Sequence, residues 1–375
     1  MVLSEVQVAI RDTVRGWAQA KARPFAAQWE ETGAYPPEVF KELGELGLFG
    51  MTAPTEWGGA EADYVSYALA LMELAAGDGG LSTIVSVHNA PVLAAVLGHG
   101  SAEQKSRFLP GLCSGELIGA FALTESEAGS DAGAISSRAV RAGGGWRLRG
   151  AKQFITSARI AGLTMVFAVT DPEAGKRGIT AFLAPAGAPG LVVAKVEHKL
   201  GQRASDTCAL NLDDVVLDDG LVLGEPGLGY SIALANLETG RIGIGAQAVG
   251  MAQAALDMAV AYAKERKTFG KRIIEHQAVG FRLADLAARL EAARQLVLHA
   301  ASLKDGGQPC MAEASMAKLV ASETAEAVCS GALQTLGGYG YLEDFGVAKI
   351  YRDVRVCQIY EGTSDIQRMV IARLL

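Results

Sequence analysis

The sequence predicts an α+β protein, mainly α, in three parts: an N-terminal α-helical domain over residues 1–118, a middle antiparallel β-domain over 119–227 and a C-terminal four-helix bundle over 228–375. Three observations predict it. Apolar residues recur at helical spacing up to about residue 118, short β-prone runs fill the stretch from Phe121 to Leu223, and three long helical runs follow. A chain of 375 residues is long enough for two or three such units.

In the first part Val6, Ile10, Val14 and Trp17 fall at steps of three and four residues. Pro36 and Pro37 open a segment carrying Val39, Phe40, Leu43 and Leu46, and Tyr64 to Ala76 is rich in alanine and leucine. Ser101-Ala102-Glu103-Gln104 is a capping-box pattern, in which the serine caps and the glutamine reaches back. In the second part the β-prone runs are Trp146–Leu148, Met165–Thr170, Ile179–Leu183, Leu191–Val196 and Thr207–Leu217. Gly143-Gly144-Gly145 marks a hairpin turn and Asp171-Pro172 opens a loop. No long helix separates the strands, so the sheet is expected to be antiparallel. In the third part Ala246–Glu265, Gln277–Leu303 and Met311–Leu336 read as long helices. Ser364-Asp365-Ile366-Gln367 reads as a second capping box, opening a last helix with Ile366, Met369 and Val370 turned inward. With that helix the part forms a bundle.

Half of the residues are hydrophobic and 20% are charged, as in ordinary globular proteins. Lys plus Arg number 34 against 41 Asp plus Glu, for a formal charge of −7. That balance argues against a nucleic-acid partner. The five cysteines, Cys113, Cys208, Cys310, Cys329 and Cys357, show no metal-ligand spacing, so no metal is expected and a reduced, cytoplasmic setting is. The start of the chain lacks a basic region followed by an apolar core, and no apolar stretch reads as reaching the roughly 20 residues of a membrane span.

Five motifs carry chemistry, and each also has a plain structural reading. Leu123-Thr124-Glu125-Ser126-Glu127-Ala128-Gly129-Ser130-Asp131 offers hydroxyls, amides and small residues for close approach to a flat or phosphorylated ligand, or is a solvated turn. Phe154-Ile155-Thr156-Ser157 puts an aromatic and a hydroxyl on one strand face, fit for a ring system, or is a core Phe beside a surface Thr. Arg266-Lys267-Thr268-Phe269-Gly270 closes a helix, and Arg266 is suited to a pyrophosphate. Gln334-Thr335-Leu336-Gly337-Gly338-Tyr339-Gly340-Tyr341 makes a tight bend after a helix, unlike the strand–glycine–helix dinucleotide fingerprint. Finally, Glu361 stands in Ile359-Tyr360-Glu361-Gly362-Thr363-Ser364, either an exposed loop acid or a carboxylate held to take a substrate proton.

Together and in this order, the five motifs resemble the acyl-CoA dehydrogenase family, and the resemblance covers essentially the whole chain. It implies the fold of that family and FAD-dependent oxidation of an acyl-CoA to the trans-2-enoyl-CoA. It implies Glu361 as catalytic base. Cofactor contacts are implied for Leu123, Thr124, Ser130, Phe154, Thr156, Arg266, Phe269, Gln334, Gly338, Thr363 and Asp365, with Arg266 and Phe269 serving the FAD of a neighbouring subunit. Substrate contacts are implied for Ser130, Glu238, Arg241, Gly362 and Arg373. The thioester oxygen is implied to bond the backbone N–H of Glu361 and a hydroxyl of the FAD chain. A homotetramer, arranged as a dimer of dimers, and an electron-transfer flavoprotein partner are implied as well.

Three positions depart from the family's pattern: Phe154 stands for the usual Trp, Asp365 for Gln or Glu, and Ser126 for Pro. Some members carry the base at the position of Gly240, which glycine cannot supply. Gly240-Arg241-Ile242-Gly243-Ile244 and Gly338-Tyr339-Gly340-Tyr341 look most like the short-chain and short branched-chain subgroups, of fatty acid or branched-chain amino acid degradation. The rival readings are an oxidase-like member passing electrons to oxygen and a binding member of the fold without dehydrogenase activity.

Overall fold

The structure is a computed structural model describing residues 1–375. Seven helices come first: α1 (Glu5–Trp17), α2 (Ala26–Thr32), α3 (Pro37–Glu45), α4 (Tyr64–Gly77), α5 (Gly79–Val87), α6 (Ala94–His99) and α7 (Ala102–Ser114). Four of the starts, those of α1, α4, α5 and α7, follow from side-chain caps. Ser4 and Gln7 form a capping box at α1, Ser101 and Gln104 another at α7, and Asp63 and Asp78 cap α4 and α5. Gly115 ends α7 with a left-handed backbone, φ 79°. A π-helical segment, His88–Leu93, accommodates Pro91 between α5 and α6.

Eight strands follow: β1 (Ile118–Ala122), β2 (Arg138–Ala142), β3 (Gly145–Thr156), β4 (Ala161–Val169), β5 (Ile179–Pro185), β6 (Leu191–Val196), β7 (Thr207–Asp218) and β8 (Val222–Leu223). They form one sheet in the order β6-β7-β3-β2-β4-β5-β8, with β1 against β4. Gly143 and Gly144 make the two-residue turn that the glycine run predicts, since Ala142 pairs with Gly145. Most pairings are antiparallel, but β1 and β2 both run parallel to β4. These two strands lie outside the predicted runs. β1 reads Ile-Gly-Ala-Phe-Ala and β2 Arg-Ala-Val-Arg-Ala, neither of them rich in β-branched residues.

The last part holds α8 (Gly229–Glu265), a small hairpin of β9 (Lys267–Thr268) and β10 (Lys271–Arg272), then α9 (Gln277–Asp305), α10 (Met311–Leu336), α11 (Val347–Val354) and α12 (Ser364–Leu374). α8 begins 17 residues before the predicted Ala246, because its glycine-rich first half, Gly240 to Gly245, is buried and packs too closely for side chains. Gly270 does not terminate that helix. α8 stops at Glu265, and Phe269 and Gly270, both at positive φ (52° and 81°), make the turn of the hairpin. At α12 the cap is Thr363, whose hydroxyl accepts from the Ile366 N–H at 3.3 Å; Ser364 is already inside the helix. Its one buried residue is Gln367, while Met369 is 48% exposed, so the predicted inward face is displaced.

Two helices do meet the length and hydropathy of a membrane span, against expectation: the continuous Gly79–His99 and α8. Their apolar windows are 89% and 72% buried inside the protein, where the core explains them.

One apolar core joins the N-terminal helices to the C-terminal bundle, and a second lies in the sheet and the helices against it. A buried polar chain crosses all three parts. Tyr35 donates to Asp78 at 2.6 Å, Lys349 pairs with Asp78 at 2.8 Å and Asp353 at 2.6 Å, and Asp353 accepts from the Gln202 N–H. Thr83 Oγ1 then lies 2.8 Å from Gln202 Oε1 and 2.9 Å from Gln247 Oε1, which in turn accepts from the Tyr360 hydroxyl at 2.9 Å. The chain ends one residue before Glu361. The network ties the loop before α12 to the first and second parts, with one buried donor, Gln247 Nε2, left without a partner.

Candidate active site

The sequence Tyr360-Glu361-Gly362 leaves the short turn after α11 with two consecutive left-handed residues, φ 52° at Glu361 and 89° at Gly362. A glutamate in that region is strained, and such strain concentrates at functional sites. The loop is held from both sides. Lys318 of α10 donates to the carbonyls of Tyr360, at 2.7 Å, and Gly362, and Gln367 of α12 donates to Gly362 O at 2.9 Å. The N–H of Glu361 donates to no acceptor in the protein.

The twist turns the Glu361 side chain toward α8. A β-carbon at Gly240 would stand 2.0 Å from Glu361 Oε2, so the carboxylate rests where any larger residue at position 240 would be. The two positions at which the family resemblance puts a base therefore serve one place in space. Glu361 as a residue is partly exposed, but both carboxylate oxygens are shielded from solvent and neither has a hydrogen-bond partner. Burial pushes the carboxyl up to about 7, against the pull of the Lys318 and Arg241 cations. Arg241, one residue after Gly240, is buried against Met311 and Ser315 of α10, and its Nε also lacks a partner. An acid near neutrality, dry and unpartnered, is poised to take up and release a proton.

The first two motifs meet on β3. Thr124 O accepts from the Gln153 N–H at 2.9 Å and Leu123 O accepts from Lys152 at 3.1 Å, so the Leu123–Thr124 segment lies along the strand just before Phe154. Here the register with β7 shifts between Lys152 and Ile155, and Phe154 takes φ 60°. That bulge breaks the simple alternation behind the expected shared face. Phe154 stands 62% exposed, Ile155 enters the core, and Thr156 opens onto a cavity of about 230 Å³. The cavity lies between the sheet and the helices, and Thr83, Thr156, Gln202, Arg355 and Tyr360 line it. It thus joins the strand motif to the segment preceding Glu361. Next to Thr156, Ser157 is buried at φ 63° with an unpartnered Oγ.

Arg266, Phe269 and Gly338 meet elsewhere, around a separate cavity of about 720 Å³ between the hairpin and the bend after α10. Gln334 is exposed on the last turns of α10, and Phe269 is 96% exposed. Third and fourth motifs therefore share a surface that does not include Glu361 or Thr156. Of the remaining predicted residues, Ser130 is exposed, Thr363 caps α12, and exposed Asp365 faces Arg368. Glu238 pairs with Lys304 at 3.0 Å, and Arg373 is exposed near the end of α12. Sequence reasoning missed Lys318, Gln202 and Gln247, and it gave no role to Ser157 and Tyr360 inside its own motifs. Lys318 left a trace in the sequence: it is a lone cation on the face of α10 that otherwise carries Ala314, Ala321 and Ala325.

Comparison with known proteins bears on the family and the fold. Three family models match: Acyl-CoA dehydrogenase, N-terminal domain, at residues 4–116; its middle domain at 120–215; and its C-terminal domain at 227–375. The short-chain specific acyl-CoA dehydrogenase, mitochondrial, of Bos taurus is 46% identical over 370 residues, covering 99% of this chain and 90% of the relative. Butyryl-CoA dehydrogenase from Megasphaera elsdenii superimposes with a TM-score of 0.97 at 39% identity, covering 100% of this chain and 99% of that one. A chain from a structure described as electron transferring flavoprotein of Acidaminococcus fermentans gives a TM-score of 0.98 at 39% identity, covering 100% and 98%.

Proposed function

The chain belongs to the acyl-CoA dehydrogenase family, and on that premise we propose that it converts a short-chain acyl-CoA, straight or 2-methyl-branched, to the trans-2-enoyl-CoA with Glu361 as base. It is an oxidoreductase whose family cofactor is FAD. The residues present fit such a group: an exposed aromatic at Phe154, an unpartnered buried hydroxyl at Ser157, and a cavity running from Thr156 to Tyr360. When bound, FAD supplies the two-electron acceptor for the hydride leaving the β-carbon.

The remaining steps fall to the protein. The α-proton of a thioester is a weak acid, and a carboxylate with an ordinary value near 4.3 is a poor base for it. Burial raises Glu361 toward neutrality, so it accepts a proton more readily while still ionising at physiological pH. Lys318 and Arg241 favour the ionised form that must be present before the step. The free N–H of Glu361 is available to the thioester oxygen as charge builds there. Gly240 leaves the room in which the carboxylate meets the α-carbon.

The single observation carrying this reading is a dry, unpartnered carboxylate on a left-handed residue, seated against a glycine. Anaerobic titration of the purified protein with C4 to C8 straight and branched acyl-CoAs tests it. Butyryl-CoA is expected to bleach the flavin spectrum of the wild type, and not that of Glu361→Gln. Bleaching of that variant at the wild-type rate overturns the assignment.

The electrons are proposed to pass to an electron-transfer flavoprotein, which activity with that acceptor against peroxide yield distinguishes from an oxidase. Arg266, Phe269, Gln334 and Gly338 are proposed to serve the cofactor of a second copy, in a homotetramer. An exposed Phe269 beside an open cavity supports a partner at that surface. Arg266→Ala is expected to lower FAD retention and loosen the oligomer together. Full cofactor content and an unchanged gel-filtration volume count against it.

A further inference from the structure

Lys318 is 1% exposed, in the interior of a helix where cations are rare unless they are held. Its ammonium makes no ion pair; it donates instead to two backbone carbonyls, those of Tyr360 and Gly362. These carbonyls flank Glu361, whose buried carboxylate oxygens have no partner. A simple salt bridge to Glu361 would have satisfied both charges and quenched the base. Bonding the carbonyls leaves the carboxylate free while a positive charge stays close. It also fixes the peptides on either side of a glutamate at φ 52°, a strained conformation that needs support from its surroundings.

We infer that Lys318 is a positioning residue for proton abstraction, clamping the Tyr360–Gly362 backbone so that the Glu361 carboxylate stays over Gly240 and the Glu361 N–H stays free. The inference rests on Glu361 being the base. The charged and polar groups facing Glu361 are Arg241 of α8, Lys318 of α10 and the Tyr67 hydroxyl of α4. Arg241 is bonded into α10 and touches no carbonyl of the loop, so it supplies charge without the clamp.

The test compares Lys318→Met, Lys318→Gln and Lys318→Arg with the wild type and Glu361→Gln, all as flavin-loaded protein. Three quantities are read: melting temperature, the rate of bleaching by butyryl-CoA per bound flavin from pH 5.5 to 9, and the infrared band of the protonated carboxyl that Glu361→Gln abolishes. The neutral variants are expected to bleach about tenfold or more slowly per flavin, with KM within about threefold. Their acidic limb and the infrared titration of Glu361 should both move to higher pH, because a nearby cation that favoured the carboxylate is gone. Lys318→Arg should bring both back toward the wild type. An unmoved limb and infrared titration in a folded neutral variant overturn the inference. So does loss of fold in both neutral variants with Lys318→Arg indistinguishable from wild type, which would leave Lys318 a purely structural role. Bleaching by Glu361→Gln would instead sink the assignment of the base.

Discussion

Two loops of this protein each hold a glutamate with a buried carboxylate near a buried lysine, and the outcomes are opposite. Glu125 is 5% exposed and Lys152 is fully buried, 2.7 Å away. The Glu125 carboxylate also accepts from the N–H and hydroxyl of Ser136 and from the N–H of Ser137. Burial alone would raise it, but Lys152 and these donors outweigh burial and hold it down at about 2. Glu361 has its lysine turned to backbone carbonyls and no donor of its own, and burial lifts it to about 7. The same two residue types thus build a permanent anion that pins a loop to β3, and an unpartnered carboxyl near neutrality. What separates them is whether the lysine bonds the carboxylate or the chain around it.

Exchanging each glutamate for glutamine should give crossed results. Glu361→Gln is expected to slow bleaching by about a thousandfold, within the range for a lost general base, at an unchanged or slightly higher melting temperature. Glu125→Gln leaves Lys152 buried without its counter-charge, which costs about 3–5 kcal/mol, while the protein that remains folded keeps its activity per flavin. Calorimetry and anaerobic stopped flow on the two variants decide it. A stability loss at Glu361 equal to that at Glu125 would erase the contrast.

Glycines sharpen it next. A β-carbon at Gly240 must displace Glu361 Oε2, whereas at Gly129, in the Glu125 loop, it meets nothing within 4 Å. Gly240→Ala is expected to reduce the rate about a hundredfold, the scale of a misplacement of about 1 Å in a reacting group. Gly129→Ala should be silent. Adding Gly240→Ala to Glu361→Gln should cost little further rate, because the group it displaces is already inactive.

The pH dependence separates the two carboxylates by sign. Glu361 binds its proton more tightly folded, about 7, than at its ordinary 4.5, so its contribution to stability is present below about 4.5 and is lost as pH rises through about 7. Glu125, at about 2, contributes stability above about 4.5 that is lost as pH falls through about 2. Subtracting the melting curves of each glutamine variant from those of the wild type should give slopes of opposite sign in these windows. Activity should rise with pH through about 7, following ionisation of Glu361.

How much of this was legible depends on the kind of signal. The motif singles out Glu361 as a candidate and the glycine run singles out Gly240, and the structure brings the two together. The three-part order was readable from periodicity alone. The setting of Glu361 was not: its left-handed backbone, its missing partners and the Lys318 contacts to the carbonyls 42 and 44 residues further along the chain belong to the tertiary structure. Strands β1 and β2 escaped because alanine, glycine and arginine carry no strand preference; their neighbours place them. The bulge at Phe154 escaped for a related reason, since it is set by the register with β7 and not by the local residues.

The smallest effect concerns the helix that follows Glu361. The sequence offers Thr363 and Ser364 side by side, and pattern alone favours Ser364, which has Gln367 three residues on as a capping box requires. In the structure Gln367 is committed to the Gly362 carbonyl instead, so the box cannot form there, and Thr363 caps from one residue earlier with Ser364 Oγ buried and unpartnered. Thr363→Ala should therefore cost about 1 kcal/mol, and Ser364→Ala nothing or a slight gain in stability. Denaturant melts of the two variants decide which residue caps. The loss at Thr363 should also reach Glu361, because Gln367 on the first turns of α12 holds the carbonyl that Lys318 holds from the other side. A fraying first turn should loosen that grip and lower the bleaching rate by a few-fold, while Ser364→Ala leaves the rate unchanged. Nothing comparable should follow at the Glu125 loop, whose carboxylate is tied directly to Lys152, Ser136 and Ser137 and needs no helix start to hold it.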